Sequence, residues 1–239
     1  MVADHGGEPV RIGVPKQHTV LAMLLVRANE PVTVARLVDE VWPGGGPASA
    51  RANMTTYLSG LRRGLARFGC PLTRRDGGYA LHTPPEAIDE RRFGDLAGRA
   101  AAAWVAGRPH TASGHWAAAL RLWRGEPFEG VPVGPVLSAT RVAWTERRLT
   151  AADGHVRALL HLGQAAEAVP DLRGQLGEDP LREQSWLLLM ASLHLSGNSA
   201  GALDAYAMPG RSWPISSVWN PAARSAICTR RSSPTTAIT

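Results

Sequence analysis

Six arginines cluster in one stretch of this sequence from which acidic residues are missing. Guanidinium groups carry a permanent charge and a planar set of donors that matches phosphate oxygens, so such a cluster suits a polyanion. The chain has no Asp or Glu between Glu40 and Asp76. The arginines in that gap are Arg51, Arg62, Arg63, Arg67, Arg74 and Arg75. Because a helix and a hairpin are both predicted within this stretch, it indicates a DNA-binding surface.

The first part of the stretch has the periodicity of an amphipathic helix. A spacing of 100° per residue puts five apolar side chains on one stripe, and these are Met54, Leu58, Leu61, Leu65 and Phe68. Ser49 is a plausible cap at the beginning of this helix. We therefore predict a helix over residues 48–68 that buries this stripe.

The opposite side of this helix carries small side chains near its beginning and arginines near its end. Small residues let a helix approach the floor of the major groove, where hydroxyl and amide groups can contact base edges. The residues predicted to face bases are Asn53, Thr55, Thr56 and Ser59. Arg63 and Arg67 are predicted to hold phosphates, and Arg51 or Arg62 suits either role. The alternative is a solvated helix face without a ligand, which does not explain why acids vanish from helix and hairpin together.

A β-hairpin is predicted after this helix, over residues 72–82. The segments LTRR and YALH alternate in polarity and enclose Asp-Gly, which is a strong hairpin signal. Arg74 and Arg75 lie beside the turn, where a hairpin wing can reach the phosphate backbone or the minor groove. Two more helices are predicted upstream, over residues 16–29 and 34–42, with Thr33 as the N-cap of the second. Three helices followed by a hairpin predict a winged helix in residues 1–84.

Residues 85–206 show no strand signal and are predicted to form successive helices. Their bounds are 86–107, 115–125, 136–163, 165–179, 181–198 and 199–206. The last two resemble a tetratricopeptide-like helix pair with Gly197 at the turn. The predicted fold class is mainly α, with a winged helix-turn-helix DNA-binding domain followed by an all-helical tetratricopeptide-like domain. Trp116 and Trp123, at helical spacing, are predicted to belong to the core rather than to a ligand site.

Charge is distributed unevenly along the chain, and the cysteine count and the motifs exclude several classes of protein. Residues 1–82 carry a net charge of +4 and residues 83–206 a net charge of −2, within a chain of 239 residues and net charge +6. Two distant cysteines predict neither a disulfide framework nor a zinc site. No membrane span, secretory signal or catalytic motif is evident, so we predict no enzyme, no cofactor and no metal.

Six segments, taken in order, resemble one known family. They are PKQHTVLAMLL, PVTVARLVDEVWP, ASARANMTTYLSGLRRGL, GGYALH, LWRG and DPLREQSWLLLMASLHLSGNSAGALDAY. Together they resemble the antibiotic-regulatory transcriptional activator family of actinomycetes, over roughly residues 10–206. Members of that family join an OmpR-like winged helix to an all-helical bacterial transcriptional activator domain of tetratricopeptide-like repeats.

The resemblance implies a function, partners and a location. It implies a homodimer that binds double-stranded DNA at direct repeats near a promoter and recruits RNA polymerase to antibiotic-biosynthesis genes. It also implies a cytoplasmic, nucleoid-associated protein without membrane contact. By position, the recognition helix is residues 48–68 and the wing is residues 72–82.

Both ends of the chain depart from the family pattern. Members usually begin with a small β-sheet, whereas EPVRIGV is the one strand predicted here, which indicates a truncated or misassigned start. From residue 207 onwards the helical period is lost, and residues 207–239 are predicted to be out of frame or, alternatively, disordered. Arg230 and Arg231 are therefore given no functional role.

Two further hypotheses remain open at the level of sequence. The protein could act through residues 85–206 as a protein-interaction module, with a winged helix that binds DNA weakly or not at all. The chain could also be a fragment of a larger regulator, with an ATPase domain downstream.

Overall fold

Helices make up most of the fold, and the strands among the described residues lie in its first third. The computed structural model describes residues 4–5, 8–9, 13–66 and 68–207. A small antiparallel pair, β1 (Asp4–His5) and β2 (Glu8–Pro9), precedes the first helix. The strand predicted over residues 8–14 is thus found only at its beginning, because Gly13 and Val14 belong to no strand and residues 10–12 lie outside the described ranges.

The next six elements have the order of a winged helix, as predicted. They are α1 (Pro15–Val26), β3 (Val32–Thr33), α2 (Val34–Val41), α3 (Ala50–Ala66), β4 (Leu72–Arg75) and β5 (Gly78–Leu81). The three strands form an antiparallel sheet in the order β3-β5-β4. The hairpin of β4 and β5 is therefore tied to the helices through β3, a strand of two residues that its sequence pattern did not reveal.

The end of α1 shows why the predicted helix over residues 16–29 was too long. Asn29 adopts a left-handed conformation with φ 72°, which a helix cannot contain. Its side-chain amide donates to the carbonyl of Thr83 at 3.0 Å and accepts from the Thr83 N–H at 3.2 Å. This pair anchors the chain that leaves β5. The predicted N-cap of α2 is confirmed, since Thr33 Oγ1 accepts from the Arg36 N–H at 3.3 Å.

The core of the winged helix contains the apolar stripe predicted for α3. Met54, Leu58, Leu61 and Leu65 are buried in it, together with the most enclosed side chains of α1 and α2. Phe68 follows the end of the helix and is only half-buried. Burying the stripe fixes the rotation of α3 about its axis, so its opposite side faces outward.

Six helices follow, and three of the connections between them share one type of turn. The bounds of the helices are α4 (Asp89–Val105), α5 (Pro109–Leu120), α6 (Pro135–His161), α7 (Ala165–Glu178), α8 (Glu183–Leu195) and α9 (Ser199–Ala207). A glycine with positive φ follows the end of α4, α6 and α8: Gly107 at 68°, Gly163 at 76° and Gly197 at 85°. In each turn the residue after the glycine donates its N–H to the carbonyl five residues earlier, at 2.9 Å. This Schellman turn repeats three times, which gives the region its tetratricopeptide-like character.

The second helix of this region lies elsewhere than predicted. A helix was expected over residues 115–125, but α5 begins at Pro109, a residue suited to the first helical position, and ends at Leu120. Trp116 is buried in the core, as predicted. Trp123 lies after the helix and packs edge-on against Phe93, with ring centroids 5.5 Å apart.

A buried carboxylate joins the winged helix to α6. The two oxygens of Glu40, in α2, accept the N–H groups of Val136 and Leu137, each at 2.9 Å. These N–H groups lie in the first turn of α6 and have no partner within that helix. Nearby, Thr19 Oγ1 donates to the carbonyl of Pro132 at 2.7 Å. The core of the winged helix therefore continues into α6, and Leu137 is fully buried in it.

The chain divides into two compact units that meet between Ala168 and Val169. The first unit contains the winged helix and helices α4, α5 and α6, and the second contains most of α7 with α8 and α9. The prediction made for the tail lies outside the described residues from residue 208 onwards. Among the helices described, none is both long and apolar enough to cross a lipid bilayer.

Candidate nucleic-acid interface

The outward face of α3 carries most of the residues predicted to contact DNA. Thr55, Thr56, Ser59, Arg51 and Arg63 are exposed, and Asn53 is half-exposed. The helix holds them at fixed angles because its opposite stripe is buried in the core. Arg67 was predicted to lie on the same face, but it is outside the described residues.

Hydrogen bonds within α3 determine what its polar groups can offer to a base. Thr55 Oγ1 donates to the carbonyl of Arg51 at 3.1 Å, and Thr56 Oγ1 donates to the carbonyl of Ala52 at 3.3 Å. Both hydroxyl oxygens keep their acceptor capacity, which suits the amino groups of adenine or cytosine. Asn53 Nδ2 donates to Ser49 Oγ at 3.2 Å, so its amide is held on one flank of the helix.

The hairpin forms the second part of the surface. Its loop is Asp76-Gly77, with φ values of 45° and 76°, and two positive φ values are typical of a type I′ turn. Arg74 pairs with Tyr79 and Arg75 pairs with Gly78 across the two strands. Both arginines are exposed next to the turn. Because successive side chains of a strand point to opposite faces, Arg74 and Arg75 extend the positive surface in two directions.

The positive charge of this surface is not neutralised by nearby acids. Among the described residues, the ion pairs that form do not include Arg51, Arg63, Arg74 or Arg75. The acid before the gap, Glu40, is buried and directed at α6 rather than at the arginines. The exposed guanidinium groups can therefore pair with phosphates without first breaking an internal contact.

Arg62 differs from the other arginines of the cluster. Its Nε donates to the carbonyl of Leu72 at 3.0 Å, and its guanidinium carbon lies 5.8 Å from the centre of the Tyr79 ring. The group thus contacts both strands of the hairpin. The sequence had suggested a base or phosphate contact for Arg62, and Tyr79 had been given no role. An aromatic residue after the Asp-Gly turn was the only signal for this contact, and the partner of its ring depends on the tertiary fold.

Comparisons with known proteins place these features in context. The family model described as the bacterial transcriptional activator domain matches residues 88–210. The transcriptional regulatory protein EmbR of Mycobacterium tuberculosis (strain H37Rv) is 35% identical over 204 residues, which are 84% of this chain and 53% of EmbR. The chain therefore spans about half the length of that relative. The regulatory protein DnrI of Streptomyces peucetius is 32% identical over 215 residues, covering 86% of this chain and 79% of DnrI.

A solved structure shows the same fold. It is that of Mycobacterium tuberculosis EmbR in complex with a low affinity phosphopeptide, and it superposes with a TM-score of 0.78 at 30% sequence identity. The superposition covers 93% of this chain and 65% of that one. The likeness extends over the winged helix as well as the helical region, and it confirms the predicted fold class.

Proposed function

This chain belongs to the family of the bacterial transcriptional activator domain, and we propose that it is a sequence-specific DNA-binding regulator of transcription. The observation that carries the proposal is the outward face of α3 beside the hairpin, where Arg63, Arg74 and Arg75 are exposed and form no ion pair with any acid of the described residues. The family is one of transcriptional activators rather than enzymes, in agreement with the prediction from sequence.

In this proposal, α3 enters the major groove of double-stranded DNA and the hairpin lies along the neighbouring backbone. Arg63, Arg67, Arg74 and Arg75 hold phosphates, while Asn53, Thr55, Thr56 and Ser59 face bases. Arg51, at the beginning of α3, contacts either a base or a phosphate. The order of small residues before arginines along α3 supports this division of roles.

The remaining parts of the proposal concern assembly and target. The chain acts in the cytoplasm as a homodimer on direct repeats and recruits RNA polymerase to antibiotic-biosynthesis genes. Residues 1–84 bind DNA, and residues 85–206 serve activation. The name of the relative DnrI of Streptomyces peucetius, a regulatory protein, supports the regulatory role, and the resemblance to the family supplies the homodimer, the direct repeats and the target genes.

A gel-shift titration of the full chain on its own upstream promoter region tests the proposal. We expect a complex that resists excess competitor DNA of scrambled sequence and that weakens steeply as salt rises, because phosphate contacts release counterions. Binding sites on the duplex that are separated by the length of one direct repeat would support the homodimer. Capture of a partner protein without any DNA complex would instead favour a protein-interaction module.

A further inference from the structure

The base of the hairpin is buried in the core of the winged helix, whereas its tip extends beyond that core. Leu72 and Leu81 belong to the core, and residues 74–77 around the turn are exposed. In the sheet, β5 pairs with β3 through only two residue pairs, Val32 with Tyr79 and Thr33 with Gly78. The other strand, β4, pairs with β5 alone and forms the edge of the sheet. An isolated two-stranded ribbon is marginally stable in water, so a further contact helps to fix the direction of the exposed tip.

Arg62 provides that contact from the flank of α3. Its Nε bonds to the carbonyl of Leu72, the first residue of β4, while its guanidinium plane lies near the ring of Tyr79 on β5. A guanidinium can do both at once because its donors lie in a rigid plane whose face is free to stack. One side chain of α3 therefore touches both strands of the hairpin.

Arg74 lies next to this contact. It is the cross-strand partner of Tyr79, and directly opposed residues share one face of a hairpin. The position of Arg74 relative to α3 thus depends on the Tyr79 ring that Arg62 covers. Arg63 is the next residue of α3 and has no such contact with the described residues, so the two neighbouring arginines differ in role.

We propose that Arg62 is a positioning residue for DNA binding, which holds the hairpin so that Arg74 meets the same duplex as α3. It acts through the hairpin and is not itself a phosphate contact. This inference rests on the proposed DNA-binding function and replaces the role suggested for Arg62 by the sequence.

A double-mutant cycle on the full chain, with a fluorescent mixed-sequence duplex as the probe, tests the role of Arg62. In the wild-type background, Arg74→Ala should weaken binding about fivefold and lower the salt slope by about one unit. In the Arg62→Ala background the same change should weaken binding less than about twofold, because the hairpin is already displaced. In the Arg63→Ala control background, Arg74→Ala should keep its full effect.

Arg62→Lys separates the two possible roles. A lysine keeps the positive charge, so it would restore binding if Arg62 simply held a phosphate. An ammonium cannot bond the Leu72 carbonyl and stack on the Tyr79 ring in one plane, so we expect Arg62→Lys to behave like Arg62→Ala. Restored affinity in Arg62→Lys, together with independent effects of Arg62→Ala and Arg74→Ala, would overturn the proposal.

Amide hydrogen exchange of the free protein gives a second readout that needs no DNA. Exchange in β4 and β5 should be several-fold faster in Arg62→Ala and Arg62→Lys than in wild type, and unchanged in Arg63→Ala. If the wild-type chain fails to bind the duplex, the proposed function fails, and this exchange pattern alone decides whether Arg62 positions the hairpin. If Arg62→Ala does not fold, Arg62→Lys and Tyr79→Leu carry the same comparison.

Discussion

Two charged regions of this chain, the exposed face of α3 and the buried junction at Glu40, use charge in opposite ways. Arg63 on α3 is exposed and has no acidic partner among the described residues. Glu40 is 2% exposed, and both of its oxygens are occupied by backbone N–H groups of α6. The charge of Arg63 is available to a partner, whereas the carboxylate of Glu40 already accepts hydrogen bonds inside the fold.

The difference follows from the cost of removing a charge from water. An exposed arginine stays hydrated at little cost until it meets a phosphate, so it affects binding much more than folding. A buried carboxylate must find hydrogen-bond donors in the folded chain, and losing them is expensive. Substitutions in the two regions should therefore separate into effects on DNA binding and effects on stability.

The largest stability effect is expected for Glu40→Ala. It removes two charge-assisted hydrogen bonds, leaving the buried N–H of Leu137 and the part-buried N–H of Val136 without partners. We expect a loss of about 3 kcal/mol in the free energy of unfolding, measured by urea denaturation. The matched control is Glu30→Ala, which removes an exposed acid paired with Arg27 and should cost less than about 1 kcal/mol. Equal losses in both variants would contradict the role of Glu40.

The next largest effect is expected for Gly134→Ala, at the same junction. A Cβ at residue 134 would lie 2.3 Å from the backbone oxygen of Glu40 and 2.8 Å from its carboxyl carbon. Overpacking of this kind should destabilise the chain by about 1–3 kcal/mol in the same assay. Gly98→Ala is the control, because its Cβ would meet nothing within 4 Å in the middle of α4. That change should be neutral or stabilise by about 0.5–1 kcal/mol.

On the binding side, Arg63→Ala should weaken binding to every DNA sequence. Loss of one phosphate contact lowers the salt slope by about one unit and the affinity by about fivefold at physiological salt. The free energy of unfolding should change by less than about 0.5 kcal/mol, because the side chain is exposed. Fluorescence anisotropy over a salt series measures the slope. If neither Arg63→Ala nor Arg74→Ala changed the affinity or the slope, the recognition surface would be wrongly assigned.

The smallest effect is expected for Thr56→Ala on the outward face of α3. Its hydroxyl bonds the helix backbone and presents an acceptor outward, so its loss should relax preference at one base pair by about 0.5 kcal/mol, less than a bidentate contact contributes. The salt slope should stay unchanged, in contrast to Arg63→Ala. Competition between the promoter site and single-base variants of it measures this preference. A uniform loss for all sequences would assign Thr56 to the backbone rather than to a base.

Much of the fold was predictable because its signals are local. The buried stripe of α3, the Asp-Gly turn and the N-cap at Thr33 each depend on residues within a few positions of one another. The limits of α1 and α5 were less predictable. Asn29 leaves the helical conformation for a contact with Thr83, and Pro109 starts a helix in a segment without strong periodicity.

The candidate interface was predicted as a set of residues; Arg67 lies outside the described residues, and DNA contact by the others stays a prediction. Arg62 is the instructive exception. Its position on the flank of the helix predicted a base or phosphate contact, but the hairpin comes close enough for a contact with Leu72 and Tyr79. That closeness depends on how the strands pack against α3, which sequence spacing does not encode.

The sequence by itself determined the family, through six segments that resemble it in order. It also determined most of the helices, the hairpin and the charge of the candidate surface, through short-range periodicity and composition. Only the tertiary structure decided which charges are free and which are used within the fold. Glu40 bonds to a residue of α6 that lies 96 positions later in the chain, and Arg62 bonds to a residue of the hairpin ten positions later. Such contacts arise when distant segments share one core, since each buried polar group must then find its partner there.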